Sequence, residues 1–241
     1  MPERLEDLFL KQKPTADQPL RGQTILAVED SRFASEALRL LCLRSGARIR
    51  RADSVASALR HLSVYRPSVA LVDPGLPDGS GIDLIRELKS ATPPVPIVIA
   101  ISGDPDAETD AQAAGADGFL SKPVDSLVSF QSAILRRLAP HARPRGPRAI
   151  ADDGIAPDRL AFQDDLALIA DQLATAPDPG RLHYIAQFLS GLARTAGDKG
   201  LAEAADALAT LGQGALATRR DAVLGHVSQA LDQRLAERAA I

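Results

Sequence analysis

Residues 69–81 read Val69-Ala70-Leu71-Val72-Asp73-Pro74-Gly75-Leu76-Pro77-Asp78-Gly79-Ser80-Gly81. An apolar run ends on an acid. A turn rich in proline and glycine follows, and a helical pattern opens at Ile82. This is how a strand buried on both faces reads before a crossover helix. Such a strand delivers its terminal carboxylate to the C-terminal edge of a parallel sheet, where open α/β folds place their sites. A strand that merely ends in a helix-capping acid reads the same way, so the neighbouring strand ends decide.

Three other short apolar runs end on polar groups. Thr24-Ile25-Leu26-Ala27-Val28 ends in Glu29-Asp30, and Ile97-Val98-Ile99-Ala100-Ile101 ends in Ser102. Gly118-Phe119-Leu120-Ser121 ends in Lys122-Pro123. Four strand ends thus offer three carboxylates, a hydroxyl and an ammonium. Carboxylates crowded at one edge repel each other unless a cation sits among them, and hard oxygen ligands suit Mg²⁺. A lysine and a hydroxyl beside that cation make a seat for a phosphoryl group.

With these residues in place, 22–140 resembles the receiver domain of two-component response regulators. The acidic pair Glu29-Asp30, the D-x-x-L-P-x-x-x-G run from Asp73 to Gly81, Ser102 and Lys122-Pro123 stand in that family's order and spacing. The resemblance implies a doubly wound, five-stranded parallel sheet. It implies that Asp73 takes a phosphoryl group from a histidine kinase or phosphotransfer protein. Glu29, Asp30, Asp73 and the Gly75 carbonyl would hold Mg²⁺. Lys122 would pair with a phosphate oxygen, and Ser102 and Phe119 would act as the switch pair.

Composition agrees with a globular chain and excludes several classes. The chain has 241 residues, is 45% hydrophobic and 24% charged, and has net charge −3. No apolar run approaches a membrane span and no N-terminal signal pattern is visible, so a cytoplasmic protein without membrane contact is expected. Cys42 is the only cysteine, which forbids an intrachain disulfide. It falls in register with Ala34, Leu38 and Leu41, as a core residue would. Residues 21–140 hold 14 basic and 14 acidic residues, whereas 149–241 hold 8 and 13, a net of −5. An acidic C-terminal half lacks the basic footprint of a nucleic-acid-binding output. Six phenylalanines, two tyrosines and no tryptophan leave little for base stacking.

The chain order follows from breaks and caps. Residues 1–21 read as an N-terminal extension, loose by default, with Leu5, Leu8 and Phe9 as one short apolar stripe. Within 22–140, strands at about 23–28, 47–52, 69–72, 97–102 and 116–121 alternate with helices at about 32–45, 54–66, 80–91, 104–114 and 124–139. Residues 141–157 carry Pro, Gly, Arg143, Arg145 and Arg148 without apolar periodicity, and read as a linker. Residues 158–241 show helical patterns at about 158–175, 179–196, 198–212 and 215–238, joined by short breaks. An antiparallel four-helix bundle is expected.

The run His183-Tyr184-Ile185-Ala186-Gln187-Phe188-Leu189-Ser190-Gly191 resembles the phosphoacceptor helix of histidine phosphotransfer domains, H-x-L-K-G-S-A. Leu189, Gly191, Ala193 and Gly197 fall in place. Gln187 stands where the acceptor histidine would be, and Ser190 where the lysine would be. The resemblance implies the fold of such a domain and removes its acceptor. At about 100° per residue, Leu182, Ile185, Ala186, Leu189, Leu192, Ala193 and Ala196 share the buried face. His183, Gln187, Ser190, Gly191 and Arg194 share the exposed one. His183 is therefore the alternative acceptor, one turn before Gln187.

The expected protein is a response regulator that is not an enzyme beyond its own phosphoryl transfer and dephosphorylation. Its bundle engages a protein partner or a second copy of the chain. The competing readings are a relay through His183 and a nucleic-acid output.

Overall fold

The computed structural model describes residues 13–144, 158–175, 177–211 and 217–236. They fall into two units, one drawn from Met1–Asp30 and Ala37–Ala156, the other from Ser31–Glu36 and Pro157–Ile241. Leu5, Leu8, Phe9, Arg145 and Arg148 lie outside the described residues.

In the first unit, apolar runs become strands and the intervening patterns become helices. The elements are β1 (Thr24–Val28), α1 (Arg32–Arg44, of which Ala37–Arg44 belong to this unit), β2 (Arg48–Ala52), α2 (Val55–Val64) and β3 (Val69–Val72), then a short hairpin of β4 (Gly75–Leu76) and β5 (Gly79–Ser80). They continue as α3 (Gly81–Ser90), β6 (Ile97–Ser102), α4 (Ala107–Ala113), β7 (Gly118–Ser121) and α5 (Leu127–Leu135). The sheet order is β2-β1-β3-β6-β7, all parallel. The order reverses beside β1, so the carboxyl ends of β1 and β3 flank the crevice of a doubly wound sheet.

Strand pleating sends alternate residues to opposite faces. Ile25, Ala27, Val69, Leu71, Ile97 and Ile99 pack with Leu38, Leu41, Cys42, Phe130 and Ile134. Leu26, Val28, Ala70, Val72, Val98 and Ala100 pack on the other face with Leu84, Ile85, Leu88 and Ala111. Cys42 is fully buried, and that burial pushes its thiol up to about 12.

Three local details differ from the sequence expectation. Leu20 is fully buried in the core and its N–H bonds the Ser45 carbonyl at 2.9 Å, so the last residues before β1 are packed. The helix expected over 124–139 is confined to Leu127–Leu135, because the Ser126 hydroxyl caps it by accepting from Ser129 N. The β4–β5 hairpin was not foreseen. At its tip, Asp78 accepts from the Val55 and Ala56 N–H groups at 2.8 and 2.9 Å and caps α2 from outside.

The second unit is helical: α6 (Arg159–Ala174), α7 (Pro179–Ala196), α8 (Lys199–Ala209) and α9 (Ala217–Ala236). Leu166, Ile169, Ile185, Leu189, Leu192, Leu201, Leu208, Val227 and Leu231 form its core. Helix starts are set by acids: Asp158, Asp178 and Asp198 each accept from a first-turn N–H. Gly197, at φ 71°, closes α7 in the left-handed conformation that favours glycine. Ser31–Glu36 cluster with this unit. The buried Asp165 carboxylate accepts from Ser31 Oγ at 2.9 Å, Arg32 N at 3.2 Å and Phe33 N at 3.1 Å. Burial pushes the Asp165 carboxyl up, and those hydrogen bonds pull against it.

Asp198 also pairs with the Arg234 guanidinium, linking the start of α8 to the end of α9. The Arg234 hydrogen bonds hold the Asp198 carboxyl below its ordinary value. A lowered folded-state pKa contributes stability above the unfolded value of about 3.9, and the contribution is lost as pH falls through the folded value. Partial exposure lets salt screen the charge, so Asp198→Ala is expected to cost about 1–2 kcal/mol at pH 7, mostly through the lost cap. Thermal denaturation of the full chain should show the deficit at pH 7 and much less of it near pH 3.

Candidate functional site: an acidic cluster at the sheet edge

The residues that carry chemistry arrive at one edge because the sheet is parallel. Each is the first residue, or nearly so, beyond the ladder. Glu29 N bonds Ala52 O at 2.9 Å, Asp73 N bonds Val28 O at 3.0 Å, and Lys122 N bonds Ser102 O at 2.8 Å. The backbone ladder thus sets the height of every functional group before any side chain acts.

Glu29, Asp30 and Asp73 each present a carboxylate oxygen within 4.8 Å of the others. The Lys122 ammonium sits between two of them, 2.7 Å from Glu29 Oε2 and 2.5 Å from Asp73 Oδ2. The other Asp73 oxygen, Oδ1, accepts from Gly75 N at 2.8 Å. Asp73 is therefore oriented by one cation and one backbone donor. Glu29 and Lys122 are almost wholly out of water, their side chains 2% and 5% exposed, while Asp73 retains 12%. Asp73, at the end of β3, and Asp30 are the two carboxylates of the cluster that keep a face to solvent.

Three acids face one ammonium here, and burial decides how they share charge. Burial pushes Glu29 up to about 8; Lys122 pulls it down, and Asp73 and Asp30 push it further up. Burial also pulls at Lys122, but attraction to Asp73 and Glu29 outweighs it and holds the ammonium above its ordinary value. The three carboxyl groups outnumber the one ammonium, and Glu29, the most deeply buried of them, is held above its ordinary value. A divalent cation would remove that surplus. The donor set consists of hard carboxylate oxygens and fits Mg²⁺.

The structure brings Glu29, Asp30, Asp73 and Lys122 together at one edge of the sheet. Ser102 is 9% exposed and its hydroxyl accepts from Asp104 N at 3.1 Å. Phe119, half-buried, packs against the cluster around Val98 and Ala100, and pairs with Ala100 across the sheet. Sequence reading missed the role of Gly81. Its N–H bonds Pro74 O at 3.0 Å, and an added Cβ would lie 1.9 Å from the Asp73 carbonyl oxygen. The glycine lets the start of α3 press against the backbone of the residue that bears the carboxylate. The glycine that ends the D-x-x-L-P-x-x-x-G run is the sequence signal of this close approach.

In α7, His183 and Gln187 are exposed, as helical geometry predicts, while Gly191 is buried and Ala196 exposed, against it. The helix packs against both α6 and α8, so its buried arc is wider than one face and takes in Phe188 and Gly191. Ala196 lies at the last turn, where that packing ends. The Ser190 hydroxyl donates to Asp206 at 3.1 Å, and Arg194 pairs with the same carboxylate at 3.5 Å.

The family model described as response regulator receiver domain matches residues 25–131. The virulence transcriptional regulatory protein PhoP of Salmonella typhimurium is 30% identical over 117 residues, 47% of this chain and 52% of PhoP. The KDP operon transcriptional regulatory protein KdpE of Escherichia coli is 30% identical over 123 residues, 51% of this chain and 54% of KdpE. The chain spans about half the length of the curated relatives it matches. A solved receiver domain of a sensor histidine kinase from Pseudomonas aeruginosa, with a magnesium ion in its active-site cleft, aligns at 23% identity, 48% of this chain, 96% of that chain and TM-score 0.44. Over residues 25–131 the chain is similar to two-component receiver domains. No helix among the described residues is long and apolar enough to cross a membrane.

Two substitutions test this geometry. Lys122→Met leaves buried carboxylates without their counter-charge and should cost about 3–5 kcal/mol. Millimolar Mg²⁺ should restore part of that loss; denaturant unfolding of the full chain with and without Mg²⁺ measures both. Gly81→Ala forces backbone apart beside Asp73 and should cost about 1–3 kcal/mol. An unchanged unfolding midpoint for Gly81→Ala would contradict the close approach.

Proposed function

We propose that this chain is a response regulator phosphorylated on Asp73, whose helical unit is a phosphotransfer-like bundle without an acceptor and serves as a protein-binding output. The observation that carries the first half is the Asp73 carboxylate, oriented by Lys122 and Gly75 N and still open to solvent on one side. One Asp73 oxygen attacks the phosphorus of a phosphohistidine donor. The P–O bond forms as the P–N bond breaks, and the imidazole leaves with that electron pair. Lys122 stands where it can pair with a transferred phosphate oxygen, and Ser102 where its hydroxyl can bond another. Glu29, Asp30, Asp73 and the Gly75 carbonyl would hold Mg²⁺, which when bound offsets the negative charge of carboxylate and phosphate. The receiver accelerates only its own phosphoryl transfer and hydrolysis.

The second half rests on Gln187. It occupies an exposed position on α7, and an amide cannot accept a phosphoryl group as an imidazole does. Ser190 supplies no ammonium and is engaged with Asp206. What remains is an exposed face of α7 with no acceptor, in a stretch of net charge −5, suited to a protein partner, to a kinase or receiver, or to a second copy. The net charge of −5 over 149–241 argues against a nucleic-acid output. The helices carry no membrane-spanning pattern, and the site chemistry fits a cytoplasmic phosphodonor.

Labelling with a small phosphodonor such as phosphoramidate tests both halves. The natural chain should take up to one phosphoryl group, labile as an acyl phosphate, in the presence of Mg²⁺ and not in excess chelator. Asp73→Asn should take none and remain folded, since the change is nearly isosteric. His183→Ala should label like the natural chain. A phosphohistidine that appears on the natural chain and disappears in His183→Ala would replace the binding-output reading with the relay.

A further inference from the structure

The receiver unit holds a second concavity, away from the acidic edge. A cavity of about 630 Å³ opens between β2 and α2, at the end of the sheet where β1 and β2 begin. Its walls include Arg48 and Arg50 from β2, and Ser57, Arg60, His61 and Tyr65 from α2 and its end. None of its lining residues is acidic. Residues 21–140 carry equal numbers of acids and bases, so three arginines around one hollow are a local concentration rather than a general excess.

The placement follows from periodicity. Arg48 and Arg50 are two apart on a strand and share a face. Ser57, Arg60, His61 and Val64 recur at helical spacing and share a face of α2. The two faces meet over the cavity. Thr24 and Arg48 are the first register pair of β1 and β2, and Val28 and Ala52, next to the acidic site, are the last. Four residues of strand put the two sites about 13 Å apart along the sheet.

Two features point to a ligand rather than to solvated edge arginines. The Tyr65 hydroxyl is buried and has no hydrogen-bond partner. An orphan donor of that kind is costly unless an acceptor completes it. The His61 and Tyr65 rings meet edge to face, centroids 5.8 Å apart, and the His61 Nε2 contact with Arg51 O at 3.2 Å fixes the imidazole. The cavity therefore combines guanidinium forks, an unsatisfied hydroxyl and an aromatic wall.

We propose that this cavity binds a small molecule bearing two or more phosphate groups, of nucleotide size. Guanidinium groups match phosphate oxygens bidentately, and the volume lies in the range of small-molecule sites and well above that of one phosphate. The phosphates lie against Arg48, Arg50 and Arg60, and a base, where present, lies against His61 and Tyr65. Inorganic oligophosphate shares the phosphate chemistry and lacks the base.

Calorimetric titration of the full chain, without divalent cation, with ATP, ADP, AMP and tripolyphosphate tests the site. ATP and ADP should bind, and AMP more weakly. ATP tighter than tripolyphosphate assigns the aromatic wall to the base; equal affinity assigns the site to oligophosphate. Each of Arg50→Ala and Arg60→Ala should weaken binding about ten-fold. Tyr65→Phe keeps the ring and should weaken it about three-fold or more. All three variants should melt near the natural chain and still take label on Asp73, so failure here is separable from failure of the receiver reading. Absence of binding at millimolar polyphosphate, or binding undiminished by loss of both arginines, would overturn the proposal and leave the arginines as guards of the β2 edge.

Discussion

The receiver unit depends on one buried ammonium. Lys122 lies between Glu29 and Asp73, nearly out of water, and carries the charge that lets two carboxylates share the end of a hydrophobic sheet. Removing a charged group from water costs several kcal/mol, and only close, hydrogen-bonded partners return it. The pair therefore stabilises little by itself. Its consequence is positional: Lys122 holds one Asp73 oxygen, Gly75 N holds the other, and the side chain still keeps 12% of its surface open to solvent.

That arrangement is possible because the sheet is parallel and doubly wound. Parallel strands point all their carboxyl ends one way, and the order reversal opens a crevice there. The apolar faces around Phe130 and around Ile85 hold the ladder rigid, so the acidic cluster is set by backbone register rather than by flexible side chains. The same geometry gathers opposite charge elsewhere. Acids collect at the strand ends, and arginines collect where β2 begins. One sheet thereby carries an acidic cluster at one end and a cluster of arginines at the other.

The helical unit works on a different principle. Among its described residues no buried cluster of charged groups surrounds Gln187, and the ion pairs Arg234–Asp198 and Arg194–Asp206 sit at helix ends and surfaces. Its core is alanine and leucine. Such a bundle keeps its shape when an exposed residue such as His183 or Gln187 changes, so its surface can vary without altering packing. This is the physical ground for reading the unit as a binding surface.

Much of this was legible in the sequence. Continuous apolar runs ending on Glu29, Asp73, Ser102 and Lys122 define parallel strands and their functional edge, because a doubly buried strand admits polar residues only beyond its ends. Helix starts near residues 54, 80 and 179 were readable because capping and breaking residues act locally. Tertiary structure alone decided the rest. It decided that Lys122 reaches both Glu29 and Asp73, that Gly81 must clear the Asp73 carbonyl, and that Gly191 is buried between helices. It buried Leu20, seated Asp165 against three donors 132 or more residues away, and closed α2 with Asp78 from a hairpin. Each of these pairs residues distant in sequence or depends on how many neighbours an element has, and no local period encodes either quantity.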